Sequence, residues 1–299
     1  MARRARYARQ GSGDNPGSDC RRDRGNCQPA HGRGGSRNSG SGLAGIKLSE
    51  GWRERLHADR QRRDPASSEE LRFYGRPPHL PSVPHRPIQV VVPFKLNGAK
   101  SRLSPVLTPE ERRQLAFAML RDVLDAVFGL CPATILSRPG LDIVDVGRAV
   151  GIWESDLELN DAINAYLVNH AGSGWPTDIL IVMADLALLT EREVVRILNC
   201  EGDVVLCPGR GGGTNMILVR SPKFRTCYQG LSFPKHLSAA KELGLKVDVF
   251  DSFRASCDID DPSDLAELIM HSRGSAAKIL KNFKIDLDGL GRAAANKIE

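Results

Sequence analysis

The stretch Asp178–Asp185, DILIVMAD, carries the reading of the fold. Its apolar residues run without a break from Ile179 to Ala184 and end abruptly in an aspartate. A short, continuous apolar run bounded by polar residues fits a strand buried on both faces, as in a parallel sheet covered by helices. Working outward from it, strand and helix patterns alternate. Upstream, IQVVV (88–92) and ATILS (133–137) read as further strands, with another short one near Ile143. Between the first two, Thr108 reads as a helix N-cap, Pro109 as the first helical residue and Glu111 as the partner of a capping box. Leu115, Met119, Val123 and Val127 then fall on one helical face. A second helix is expected across Asn160–His170. Downstream, Thr190 reads as the cap of a helix to about Asn199, followed by strands DVVLC (203–207) and NMILVR (215–220). Ser232 reads as the cap of a helix to Leu243, LKVDVF (245–250) as a strand, and Asp261-Pro262 as the start of a helix to about Ser272. This alternation predicts an α/β fold, a mostly parallel sheet sandwiched by helices, in a single domain over residues 87–284.

The chain has 299 residues, 41% hydrophobic and 26% charged, with a net charge of +6. That charge is unevenly spread. Residues 1–87 carry 18 Lys+Arg against 9 Asp+Glu, whereas the rest carries 24 against 27 and is mildly acidic. A basic average therefore gives no argument for nucleic-acid binding by the body. Residues 1–86 combine a Gly-Ser-Arg segment (RGNCQPAHGRGGSRNSGSG), a charged segment and a Pro-rich connector. Their apolar content is too low to offset the entropy of ordering, so disorder is expected there, and again in the tail 285–299. No methionine lies between Met1 and Met119, and a start codon assigned upstream of the true one would produce such a leader. With a mean hydropathy of −0.29, no stretch approaches the ~18 apolar residues of a membrane span. The seven cysteines form no C-x-x-C pair, which fits reduced thiols. A cytoplasmic protein is expected.

In open α/β sheets ligands bind beyond the carboxyl ends of the strands, so the residues following each strand carry the chemistry. After 88–92 comes PFKLNGAKSRLS, with Lys95, Lys100 and Arg102 on a loop containing Gly98. No GxxxxGK[ST] loop is present, yet Lys and Arg on flexible backbone are what a polyphosphate needs. Asp185 ends its strand as a candidate Mg²⁺ ligand, since Mg²⁺ takes one or two carboxylates together with phosphates. In PGRGGGTN (208–215), Gly211, Gly212 and Gly213 are costly in backbone entropy unless the chain must approach a ligand or adopt φ > 0. Thr214 and Asn215 then offer side-chain hydrogen bonds. Gly230 and Ser232 stand at a helix N-terminus, a ready anion site. His236 reads as helix packing or a surface group. Asp258 and Asp260 alternate around Ile259 and share a side, which calls for a cation between them. Asp261 reads as a helix cap.

The blocks VVPFKLNGAKSRLSPVLTPEERRQLAFAML, MADLALLT, CPGRGGGTNMILV, GLSFPKHLSAA and DIDDPSDL occur in that order. Together they resemble the archaeal 2-phospho-L-lactate guanylyltransferase family over about Pro87–Phe283. The resemblance implies a glycosyltransferase-A-like (Rossmann-like) nucleotidyltransferase fold. It implies transfer of GMP from GTP to (2S)-2-phospholactate with Mg²⁺, giving lactyl-2-diphospho-5'-guanosine and pyrophosphate in coenzyme F-420 biosynthesis, by a homodimer. It assigns Lys95, Lys100 and Arg102 to the triphosphate, Asp185, Asp258 and Asp260 to the metal, and Thr214, Gly230 and Ser232 to the three-carbon acid. Asn160, in ELNDAI, matches a GLN-x-A block that places guanine, with Glu158 where Gly is usual. Ala187 stands where relatives carry proline. Two alternatives stay open: the same chemistry on phosphoenolpyruvate, 3-phosphoglycerate or a sugar phosphate, and a non-catalytic nucleotide- or RNA-binding protein using the basic leader. The second gives no reason for the three acids, because carboxylates repel phosphate unless a metal intervenes.

Overall fold

The computed structural model describes residues 86–95, 100–141 and 150–283. Its strands are β1 (Ile88–Phe94), β2 (Ala133–Ser137), β3 (Gly151–Glu154), β4 (Asp178–Val182), β5 (Val204–Pro208), β6 (Thr214–Val219) and β7 (Val247–Val249). They form one seven-stranded sheet in the order β3-β2-β1-β4-β6-β5-β7. β1 pairs in parallel with β2 and β4, β2 with β3, and β5 with β7. Only β6 runs the other way, antiparallel to both β4 and β5. The carboxyl ends of β1, β2, β4 and β5 and the amino end of β6 therefore share one rim. All residues of β4 and β6 are buried, as the unbroken apolar runs require.

The helices are α1 (Pro109–Val127), α2 (Leu159–Gly172), α3 (Glu191–Leu198), α4 (Ser232–Glu242), α5 (Phe253–Ser256), α6 (Asp264–His271) and α7 (Ser275–Asn282). One face of the sheet packs Val90, Val92, Leu180 and Leu218 against α1 and α3 through Leu120, Leu124, Val194 and Ile197. The other packs Val91, Ile179, Ile181 and Ile217 against α2 and α4 through Ile163, Leu167 and Ala240. A third cluster joins Leu115 and Met119 of α1 to Leu265, Leu268, Ala277 and Leu280 of α6 and α7. The expected sheet sandwiched by helices is thus present, with one strand reversed.

The capping box of α1 forms as read: Glu111 N–H donates to Thr108 Oγ1, and Thr108 N–H to Glu111 Oε2. Several details differ. The short strand placed near Ile143 falls on residues 142–149, outside the described residues. β3 at Gly151–Glu154 gave too short a run to stand out. Thr190 precedes α3, but its hydroxyl reaches the Glu193 carboxylate rather than a backbone N–H. Ser232 is the first residue of α4, not its cap; Leu231 holds that position. The last predicted helix starts at Asp264, because the Asp264 carboxylate accepts from the N–H groups of Asp260 and Asp261 and holds them in a turn. Asp261 is therefore not a side-chain cap.

Candidate active site

Asp185 lies just past β4, and the chain beyond it is tied down. Leu186–Leu189 are buried, and the Ala187 and Leu188 carbonyls accept from Ser272 and Arg254. This fixes Asp185 at the rim. One of its oxygens, Oδ2, accepts from Lys100 Nζ at 2.7 Å. The same ammonium donates to Asp260 Oδ1 at 2.6 Å. Lys100 therefore spans two of the three acids, and Arg102 adds a longer contact to Asp260 Oδ2 at 3.6 Å. Burial pulls the Lys100 ammonium down, but the Asp185 and Asp260 carboxylates outweigh it and hold the group above the usual lysine value. Lys100 also has φ +57°, the left-handed region, which costs a non-glycine residue about 1–3 kcal/mol and persists where the surroundings impose it.

Asp258 completes the acidic group. Its Oδ1 accepts from Asn215 Nδ2 at 3.4 Å. Burial, and then the negative charges of Asp185 and Asp260, raise its carboxyl above the ordinary range. Two links bring these segments together: Ile259 N–H donates to the Asp185 carbonyl, and Met183 N–H to the Asn215 carbonyl. Among the described residues, no three His, Cys, Asp or Glu side chains close on one point tightly enough to enclose an ion by themselves. The fit to a divalent cation rests on a different observation. Asp185 Oδ1 is buried without any hydrogen-bond partner. An orphaned carboxylate oxygen beside two further acids suits Mg²⁺, which keeps waters and substrate phosphates for most of its shell.

Beside the acids, a cavity of about 270 Å³ opens at the ends of β1 and β2. Lys100 and Asp185 line it at the acids, with Lys95, Ser137, Arg138 and Glu158 among its other lining residues. Glu158 pairs with Arg138 at 2.5 Å and with Lys95 at 3.7 Å. The Ser137 hydroxyl is buried and unpartnered. Asn160 is not among the lining residues. Its Oδ1 accepts from Tyr228 N–H and Thr226 Oγ1, so it holds the 226–228 segment.

At the other end of the rim the buried side chains are neutral. β6 carries one residue more than β5 at its start: Cys207 faces Met216 and Pro208 faces Thr214, which leaves Asn215 as a bulge. Asn215 turns toward α5, donating to the Ala255 carbonyl at 3.0 Å, while Thr214 turns toward α4. Thr214 Oγ1 lies 2.8 Å from His236 Nδ1 and 3.1 Å from Ser232 Oγ. All three side chains are buried. Within the glycine run only Gly212 needs its residue type for φ, at +77°; a Cβ there would also meet Leu231 at 2.9 Å. A Cβ on Gly211 or Gly213 would meet nothing within 4 Å, and Gly230 has φ +58°. Gly209, which the sequence reading passed over, is required by packing, because a Cβ there would strike the Asn215 side chain. His236 was also passed over as a site residue. The signal was its i, i+4 spacing from Ser232, which places both on one helical face.

A seven-stranded sheet of this order, with β6 reversed and acids and cations along its carboxyl rim, defines an α/β fold of the nucleotidyltransferase type. A crystal structure described as a nucleotide-diphospho-sugar transferase, from Desulfovibrio desulfuricans G20, shares this fold with a TM-score of 0.56 at 18% identity, covering 69% of this chain and 97% of that one. The chain belongs to the family described as Guanylyl transferase CofC like, whose model matches residues 88–296. It is 49% identical over 213 residues to the 2-phospho-L-lactate guanylyltransferase of Methanothrix thermoacetophila, covering 69% of this chain and 96% of that protein. It is 41% identical to the enzyme of the same name from Methanocella arvoryzae, covering 71% and 94%.

Proposed function

We propose that the chain transfers a guanylyl group from GTP to (2S)-2-phospholactate. A phosphate oxygen of the acid attacks the α-phosphorus of GTP. The bond from that phosphorus to the bridging oxygen breaks, and pyrophosphate leaves with the electron pair. The observation that carries this reading is Lys100, whose ammonium spans Asp185 and Asp260 at the mouth of the cavity. The names of the relatives supply the substrates.

The attacking phosphate is already ionised at neutral pH, so no general base is required. What the chain must supply is alignment and neutralisation of negative charge. Lys95, Lys100 and Arg102 provide positive charge beside the cavity and the acids. Thr214, Ser232 and the turn at Gly230 offer neutral contacts for the acid. Asp185 and Asp260, with Asp258 next to them, would hold Mg²⁺, and a bound Mg²⁺ supplies Lewis-acid neutralisation of phosphate oxygens. The same family reading carries a cytoplasmic homodimer. Among the described residues no helix is long and apolar enough to cross a membrane.

Pyrophosphate release from GTP, measured with 2-phospholactate, phosphoenolpyruvate or 3-phosphoglycerate and with or without Mg²⁺, tests the proposal. Fastest turnover with GTP, 2-phospholactate and Mg²⁺ is expected. Faster turnover with another acid transfers the reading to that acceptor, and no GTP-dependent release with any of them overturns it.

A further inference from the structure

His236 is wholly buried on α4, and both of its ring nitrogens are engaged. Nε2 lies 2.7 Å from the backbone N–H of Cys227. A backbone N–H only donates, so Nε2 must present its lone pair, and the ring proton resides on Nδ1. Nδ1–H then donates to Thr214 Oγ1. The opposite tautomer, or a doubly protonated ring, would set two donors against each other at Cys227. Burial pushes the imidazole pKa down to about 4, which keeps it neutral near pH 7.

The proton count follows from this tautomer. His236 Nδ1, Thr214 Oγ1 and Ser232 Oγ bring three polar hydrogens to the cluster, and two internal contacts use two of them. One hydroxyl proton is left over, whichever of the two hydroxyls carries it. Among the described residues no protein group accepts it. A buried pair of hydroxyls with a surplus donor is matched to an acceptor, above all an anionic oxygen. Asn160 and Asn164 reinforce the arrangement from α2: they hold Thr226 and Tyr228, and so fix the Cys227 N–H that sets the tautomer.

We propose that His236 is a positioning residue for the phospho-acid, orienting the Thr214–Ser232 hydroxyl pair so that it donates to a carboxylate or phosphate oxygen of that substrate. The proposal rests on the guanylyltransferase reading for the identity of the acid. Two substitutions separate positioning from mere support. His236→Asn places an amide N–H near the Nδ1 position and can still donate to Thr214. His236→Gln reaches the Nε2 position and can still accept from Cys227, but it gives Thr214 no donor.

The experiment measures KM for 2-phospholactate and for GTP, kcat and the melting temperature, together with calorimetric titration of 2-phospholactate into the full-length protein. With His236→Gln and His236→Leu, the KM for the acid is expected to rise by roughly tenfold or more, with the KM for GTP held within about twofold. His236→Asn should recover most of the loss. Rescue by Gln rather than Asn, equal losses in both, or an unmoved KM for the acid would overturn the proposal. If the His236 variants fail to fold, Thr214→Val must give the same acid-specific loss, and its absence overturns the proposal equally. Wild-type protein that binds the acid with the Asn-over-Gln order but does not turn over GTP keeps this inference and refutes the proposed function. Wild-type protein that does not bind the acid at all refutes the inference.

Discussion

The two ends of the rim handle polarity in opposite ways. The acid end is charged and only partly exposed, and one of its carboxylate oxygens is without a partner. Its lysine is held above its usual pKa by the neighbouring carboxylates against the pull of burial, and Asp258 above its own by burial and then by the charges of Asp185 and Asp260. At the hydroxyl end the Thr214–Ser232–His236 cluster is neutral, buried and satisfied except for a single proton. A highly charged ligand with its counter-cation suits the first, where charges can exchange partners. A small acid suits the second, where direction rather than charge does the selecting.

The largest expected effect tests the acid end. Asp185→Asn keeps the shape and removes the charge, so turnover at saturating GTP should fall by roughly 10²–10³, equivalent to about 2.7–4 kcal/mol, with the melting temperature nearly unchanged. A near-wild-type rate at saturating Mg²⁺ would take Asp185 out of the proposed metal group. Gly209→Ala strikes the joint between the ends, since its Cβ must displace Asn215, which contacts both Ala255 and Asp258. A stability loss of about 1–3 kcal/mol is expected in urea titration. An unchanged midpoint would mean that the two ends are not braced through Asn215.

A pH series tests the neutral end. The unfolded chain binds a proton at His236 below about pH 6.5, and the folded chain does not until about pH 4. Stability from this residue is therefore present above pH 6.5 and lost on acidification through that window, by at most about 1.4 kcal/mol per pH unit. The wild-type melting temperature should fall more steeply between pH 6.5 and 4 than that of His236→Asn, and parallel slopes would refute a buried neutral imidazole. The smallest effect belongs to a control away from the rim. Thr108→Ala removes the α1 cap and should cost about 1 kcal/mol of stability with kcat unchanged.

Much of this was legible in the sequence because burial on both faces leaves unbroken apolar runs. IQVVV, ATILS and DILIV each became a strand, and the acids and cations following them meet at one rim. What escaped depends on partners far apart in the chain. Ser232 reads as a cap by its neighbours, yet its hydroxyl bonds Thr214 on another element. Asn160 is assigned by its block to the base, and no local pattern shows that its Oδ1 holds a backbone segment some sixty-odd positions away. Ser137 and Arg138 line the cavity from one segment and Glu158 from another, and no local pattern marks the two segments as neighbours.

The unmatched Asn215 at the head of β6 has a consequence of its own. In an evenly pleated strand, residues 214 and 216 would look the same way, and Met216 looks toward α1 and α3. The extra residue breaks that alternation and turns Thr214 to the face opposite Met216, leaving an amide for Asp258 and an alcohol for the imidazole. Smoothing the bulge into an even pleat with every residue kept would send the alcohol to the wrong face and leave the imidazole proton with nothing to meet. The division of labour along the rim thus hangs on a single miscount in the ladder.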